Sequence, residues 1–220
     1  GVWPAFFSIG TGVPWPDGGE MDILEYVNDD QGGMTSFHTS KQCKLDPDEV
    51  NKYGHMPDIN QPANNGSNYN CLTRYCANCT ALGCAPNVMP LHTGPQWANR
   101  PGVLAMERAA SFTKIFYIPD GSVPQGFAEG KVNPEEWDRW VVSYYPFGSS
   151  SGCPDADNIM SPQRFIMNIA FCGDWASKVW GNSPACHDLG LSYNHTATRK
   201  KLRVSKDQCR AVDPLAEYAP

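Results

Sequence analysis

The stretch Gly19-Glu20-Met21-Asp22-Ile23-Leu24-Glu25 decides how this chain is read. In a regular strand successive side chains point to opposite faces. Glu20 and Asp22 therefore share one face, and Met21 and Ile23 share the other. Unbroken alternation would return Leu24 to the acidic face and turn Glu25 away from it. A single β-bulge between Asp22 and Glu25 restores the phase. Glu20, Asp22 and Glu25 would then line one concave face, with the apolar residues behind them.

Such a face suits cleavage of a glycosidic bond. That reaction needs one carboxylate and one protonated carboxylic acid flanking the scissile bond. Closely placed carboxylates resist ionising together, so one of them keeps its proton. A third carboxylate between them can bond the nucleophile and adjust both. A spacing of roughly 5–5.5 Å goes with retention of configuration, and one of roughly 6.5–9.5 Å with inversion. The plainer alternative is a solvated strand face, where alternating acids are common. The flanks speak for chemistry, because Trp3, Phe6, Phe7, Trp15 and Tyr26 crowd the same region. Aromatic faces stack on sugar rings, although each of these residues taken singly also fits a core.

Outward from this segment the chain reads as strands. Residues 3–9, 20–27, 34–39, 102–107, 112–118, 139–147 and 164–171 carry β-type patterns, and short helices are expected near 134–140 and 175–180. The composition agrees, with 20 Gly, 19 Pro and only 18% charged residues among 220. An antiparallel all-β sandwich in a single domain, residues 1–220, is the expected class. Residues 44–99, polar and rich in Asn, Pro and Cys, are expected to form a stapled surface excursion within that domain.

The formal net charge is -6, and the densest basic run is only Arg199, Lys200, Lys201 and Arg203. This excludes nucleic acid as the expected partner and suits a neutral substrate. No apolar run approaches a membrane span. The 9 cysteines and the sequons at Asn65, Asn78 and Asn194 point to an oxidising compartment, disulfides and a secreted glycoprotein. An odd cysteine count leaves at least one thiol free or paired outside the chain. No cofactor and no metal is expected.

At these residues the sequence resembles glycoside hydrolase family 16, especially its fungal laminarinase-like endo-β-1,3(4)-glucanases. The resemblance is carried by GVWPAFF at 1–7, WPDGGEMDILEYVND at 15–29 and FHTS at 37–40. It resumes in GVLAME at 102–107, IFYIPDGSVP at 115–124 and CGDWA at 172–176. It implies a β-jelly roll of two antiparallel sheets with a concave cleft for β-glucan, and a retaining double displacement. Glu20 then matches the nucleophile, Glu25 the acid/base and Asp22 the assisting carboxylate. His38 matches a cleft histidine on the neighbouring strand. Trp3, Trp15 and Trp175 match sugar-contacting aromatics, and Asn28, Glu107 and Asp174 are further substrate contacts implied. A transglycosylase of the same family, or a non-catalytic β-glucan-binding protein, are the competing readings.

The chain departs from the family pattern at Phe7 and at Arg108, where relatives often carry Trp. The family's domain also has strands preceding the segment that matches Gly1. The resemblance therefore implies an N-terminal part that is cleaved, carried on another chain or missing from this sequence. Related fungal sequences often have a cysteine just before that point, so a disulfide to this fragment is expected as a partner contact.

Two other motifs compete. Cys71, Cys76 and Cys79 have the spacing of an iron–sulfur or zinc ligand run, with Cys84 close behind. Gly148-Ser149-Ser150-Ser151-Gly152 fits the G-x-S-x-G nucleophile elbow, but Cys153-Pro154 follows where a helix should start. Disulfides and a flexible loop are the expected outcomes.

Overall fold

The computed structural model describes residues 2–28, 32–53, 69–73, 83–86, 97, 99–148, 152–171 and 175–176. Its strands are β1 (Val2–Gly10), β2 (Glu20–Glu25), β3 (Met34–His38), β4 (Gly102–Arg108), β5 (Phe112–Pro119), β6 (Val141–Pro146) and β7 (Gln163–Phe171). Two short helices, α1 (Pro47–Val50) and α2 (Ala156–Ile159), and several 3₁₀ turns complete the described elements. Among the described residues, β3-β2-β1-β7 form one antiparallel sheet and β4-β5-β6 the other. Every expected strand is present, with ends shifted by a few residues. Trp140 closes a 3₁₀ turn over Pro134–Trp140, so β6 starts later than the aromatic run suggests.

The two sheets meet through the side chains that alternation sends inward. Met21 and Ile23 of β2, Phe37 of β3, Ile115 of β5 and Tyr145 of β6 are buried in one core. A polar link crosses this core. Thr35 Oγ1 bonds Ser143 Oγ at 2.5 Å and the Tyr145 hydroxyl at 2.7 Å, and all three residues are fully buried. This satisfies groups that would be costly if left unpaired, and it fixes β3 over β6.

The flank at β7 is open. Register pairs Ser8 with both Met21 and Phe165, so Phe165, Met167, Ile169 and Phe171 share the inner side of the sheet. Yet these residues are 62%, 80%, 59% and 62% exposed. A cavity of about 480 Å³ opens between the sheets there, lined in part by Ser8, Met106, Gln163 and Phe165. Among the described residues the core is filled under β2 and β3 and lacks cover at β7.

Two disulfides staple the described part of the cysteine-rich region. Cys43 bonds Cys153, and Cys71 bonds Cys84. The second removes Cys71 from any metal-ligand run; Cys76 and Cys79 lie outside the described residues. Gly148 and Cys153 form an antiparallel bridge, and Cys153, Pro154 and Asp155 separate Gly152 from α2, unlike an elbow that feeds directly into a helix; residues 149–151 lie outside the described residues. The sequons lie outside the described residues, as do residues 177–180 of the expected second helix.

Removing the hydroxyl of Tyr145 should take one hydrogen bond from the buried Thr35 Oγ1, which keeps its bond to Ser143 Oγ. Tyr145→Phe is expected to cost about 1–2 kcal/mol of stability in urea titration while leaving the acidic face intact.

Candidate active site

β2 holds the acidic residues in the arrangement its sequence requires. Its register with β3 runs Glu20↔His38, Met21↔Phe37 and Asp22↔Ser36, then slips by one residue before Glu25↔Met34. The slip against β1 falls between Phe7↔Asp22 and Phe6↔Leu24, so Ile23 is the extra residue of the bulge. Met21 and Ile23 enter the core, and Leu24 packs against its margin. Glu20, Asp22 and Glu25 are thereby brought to one face, with Phe7 beside Asp22 and Ala5 beside Glu25.

Each outer carboxylate meets an indole. Trp3 Nε1 donates to Glu25 Oε1 at 3.0 Å, and Trp15 Nε1 donates to Glu20 Oε2. The turn that delivers Trp15 closes with the Asp17 N–H on the Pro14 carbonyl and the Gly19 N–H on the Pro16 carbonyl. Gly19 sits at φ +70°, and a Cβ there would lie 2.7 Å from the Ile159 carbonyl oxygen. Glycine is thus needed where the turn enters β2.

Asp22 is the hub. Its Oδ2 accepts from Ser36 Oγ at 2.5 Å and faces His38 Nε2 at 3.1 Å. Ser36 Oγ also reaches Glu25 Oε2 at 3.4 Å and His38 Nε2 at 3.1 Å. Glu20 and Asp22 stand close enough on this face for each to disfavour ionisation of the other. Asp22 Oδ1 is buried and has no donor among the described residues.

These contacts set the electrostatics. Burial pushes the Glu20 carboxyl well above the ordinary range, the charge of Asp22 adds to this, and the Trp15 N–H opposes it. Burial likewise raises Glu25, reinforced by the charges of Asp22 and Glu20 and opposed by His38 and the Trp3 N–H. Burial alone would lower His38, but the hydrogen bond and charge of Asp22, together with Glu25, lift it above its usual value. The patch therefore retains protons into a pH range where free carboxyls have lost them. It offers an acid and a carboxylate side by side.

Trp175 completes one end of the site, meeting Trp3 edge to face with centroids 5.4 Å apart. Asn28 acts here as a support. At φ 57° its side-chain oxygen accepts from Val2 N, and its side-chain nitrogen donates to the Ala176 carbonyl, both at 3.2 Å. Both ends of its amide bond to backbone, which places it as a support at the end of β1. Glu107 requires a correction. Register pairs it with Lys114, on the side of β5 opposite Ile115. Ile115 faces inward beside Ser143, so Glu107 points away from the acidic strand. Phe7 is only 7% exposed, too little for a stacking platform. Arg108 forms an ion pair with Asp157 at 2.9 Å. Asp174 lies outside the described residues. Ser36 and Thr73 are site residues that the sequence did not reveal, since a serine or threonine on a strand carries no signal of its own.

A family model described as "XgeA-like, catalytic GH16 domain" matches residues 1–203. A probable endo-1,3(4)-beta-glucanase of Aspergillus flavus is 33% identical over 187 residues, covering 83% of this chain and 24% of that protein. An endo-1,3(4)-beta-glucanase of Arthroderma benhamiae is 27% identical, covering 84% of this chain and 37% of that protein. Among solved structures, Laminarinase 16A of Phanerochaete chrysosporium, holding two beta-glucans in donor and acceptor sites, superposes with a TM-score of 0.63 at 28% identity. That match covers 87% of this chain and 58% of the laminarinase. An elongating family 16 beta-1,3-glucosyltransferase also scores 0.63, at 25% identity over 84% of this chain and 55% of its own.

The raised carboxyl groups carry a stability consequence. A Glu whose folded pKa is raised binds more protons folded than unfolded, so stability falls as pH rises from the ordinary carboxylate value through the folded one. His38 acts in the same direction: its contribution is present below the ordinary imidazole value and is lost as pH rises through its raised folded value. Melting temperature should therefore be higher near about pH 5 than near about pH 8, and Glu25→Gln should narrow that difference. Thermal melts of both proteins across this range check it; an equal or larger drop in the variant contradicts it.

Proposed function

This chain belongs to glycoside hydrolase family 16, and from that premise we propose that it cleaves β-1,3- or mixed β-1,3/1,4-glucan internally by a retaining double displacement. The observation that carries the reading is the bulged strand that gathers Glu20, Asp22 and Glu25 on one face, each outer carboxylate under a tryptophan N–H. Glu20 attacks the anomeric carbon while Glu25, as the carboxylic acid, protonates the departing glycosidic oxygen. The resulting Glu25 carboxylate then takes a proton from water, which displaces Glu20 from the sugar. Asp22, held beside Glu20 by Ser36 and His38, is the assisting carboxylate that orients the nucleophile. The gathering of all three acids on one face, and the reach of Ser36 from Asp22 to Glu25, favour the compact spacing of retaining enzymes. Trp3, Trp15 and Trp175 supply aromatic surface for the glucan.

The similarity to a glucosyltransferase favours a second reading, in which another sugar replaces water as acceptor. Product analysis with added laminari-oligosaccharide separates the two: lengthened products indicate transfer, and shortened ones alone indicate hydrolysis.

The open flank is part of the proposal. The uncovered inner face of β7 is to be covered by further strands of a longer polypeptide or of a fragment linked by disulfide. The apolar stripe and the 55–58% coverage of the solved relatives support this. The disulfides support a secreted location.

Glu20→Gln and Glu25→Gln are each expected to fold normally and to lose at least about a hundredfold in laminarin hydrolysis. Near-normal hydrolysis by Glu20→Gln would overturn the nucleophile assignment. Intact mass before and after reduction tests the flank. Release of a second polypeptide is the outcome expected of a disulfide-linked fragment, and an unchanged single species rejects that form.

A further inference from the structure

His38 is held from behind as well as from the front. Beyond β3 the sheet edge is continued by two short segments. Phe37 exchanges both backbone bonds with Cys84, the Thr39 N–H donates to the Cys71 carbonyl, and the Thr73 N–H donates to the Thr39 carbonyl. The Cys71–Cys84 disulfide joins these segments to each other. One brings Thr73, whose Oγ1 lies 3.2 Å from His38 Nδ1. The other brings Gly83, where a Cβ would lie 2.4 Å from Nδ1 and 2.7 Å from Cε1 of the same ring. The imidazole is thus seated against a residue that only glycine can be.

We propose that Thr73 and Gly83, joined through the Cys71–Cys84 disulfide, form a clamp that fixes the ring of His38 and adapts to both of its protonation states. Thr73 is a positioning residue in this proposal, acting through His38 on Asp22. The inference rests on the catalytic reading above.

The chemistry follows from what each atom can donate. A carboxylate only accepts, so His38 Nε2 carries a proton toward Asp22 Oδ2 in either state. Nδ1 is then bare in the neutral ring and protonated in the imidazolium. A threonine hydroxyl serves both cases. Toward the neutral ring its O–H donates to Nδ1. Toward the imidazolium it accepts from Nδ1–H and turns its own hydrogen to the Cys71 carbonyl, 3.4 Å away. Thr73 is buried, so water does not readily substitute for it. The charged and titratable groups facing His38 are Asp22, Glu25 and Glu20, all on β2. The described residues 71–73 and 83–86 bring no acid or base, which leaves the hydroxyl as the adjustable partner on that side.

Thr73→Val keeps the shape of the side chain and removes the hydroxyl, whereas Thr73→Ser keeps the hydroxyl. Histidine ring NMR across pH reads His38 directly, and laminarin kinetics read the site. In Thr73→Val the imidazolium loses a charge-assisted acceptor, so the His38 titration should move to lower pH. Its kcat should fall about fivefold to tenfold, the rate equivalent of one hydrogen bond, with KM little changed. Thr73→Ser should restore both, and Gly83→Ala should lower kcat by displacing the ring. An unmoved His38 titration in folded Thr73→Val, or a shift that Thr73→Ser shares in full, overturns the clamp. The ring titration is independent of turnover. Absence of hydrolysis by the unaltered protein would therefore defeat the catalytic reading while the NMR arm still decided the clamp.

Discussion

One extra residue in one strand is the constraint on which the site depends. With Ile23 inserted between Asp22 and Leu24, the sheet keeps Met21 and Ile23 in the core and still turns Glu25 to the side of Glu20 and Asp22. A regular strand would bury a carboxylate among Phe37, Ile115 and Tyr145, or else expose the hydrophobic set. The bulge resolves that conflict and concentrates negative charge on one face. The protein then has to manage this charge, with two indole N–H groups, a serine hydroxyl and an imidazole.

Much of this was legible in the sequence because it follows from a period of two. The pattern Glu20, Asp22, then Glu25 is one residue out of phase, and the apolar residues between are fully committed to the core. The strands themselves were legible for the same reason. What failed was what periodicity cannot encode. Glu107 sits on a strand with the right neighbours in sequence, but the register of β4 on β5 sends it to the far face beside Lys114. Asn28 has a supporting role that periodicity does not announce, since its side chain bonds the backbone of Val2 and Ala176. Ser36 and Thr73 earn their places only through contacts with residues distant in the chain, which single-residue chemistry does not announce.

The same tension between charge and burial links site to stability. Carboxyl groups raised by burial and by each other make the fold less stable as pH rises, and that is the state in which one of them remains an acid. The site is held most firmly on the β3 side, where the Cys43–Cys153 disulfide and the Thr35–Ser143–Tyr145 link tie the edge toward the second sheet and the Cys71–Cys84 disulfide joins the segments that extend it. It is held least at β7, whose inner face is uncovered among the described residues.

Trapping the covalent intermediate tests the central claim most directly. A laminaribioside bearing fluorine at C2 and a good leaving group at C1 slows release of the glycosyl-enzyme, and peptide mapping by mass spectrometry then locates the sugar. The expected result is one equivalent of label on Glu20, with Glu25→Gln still labelled when the leaving group needs no protonation. Label on Glu25 or Asp22, or hydrolysis of laminarin with inverted anomeric configuration and no trapped species, would contradict the retaining assignment built on the bulged strand.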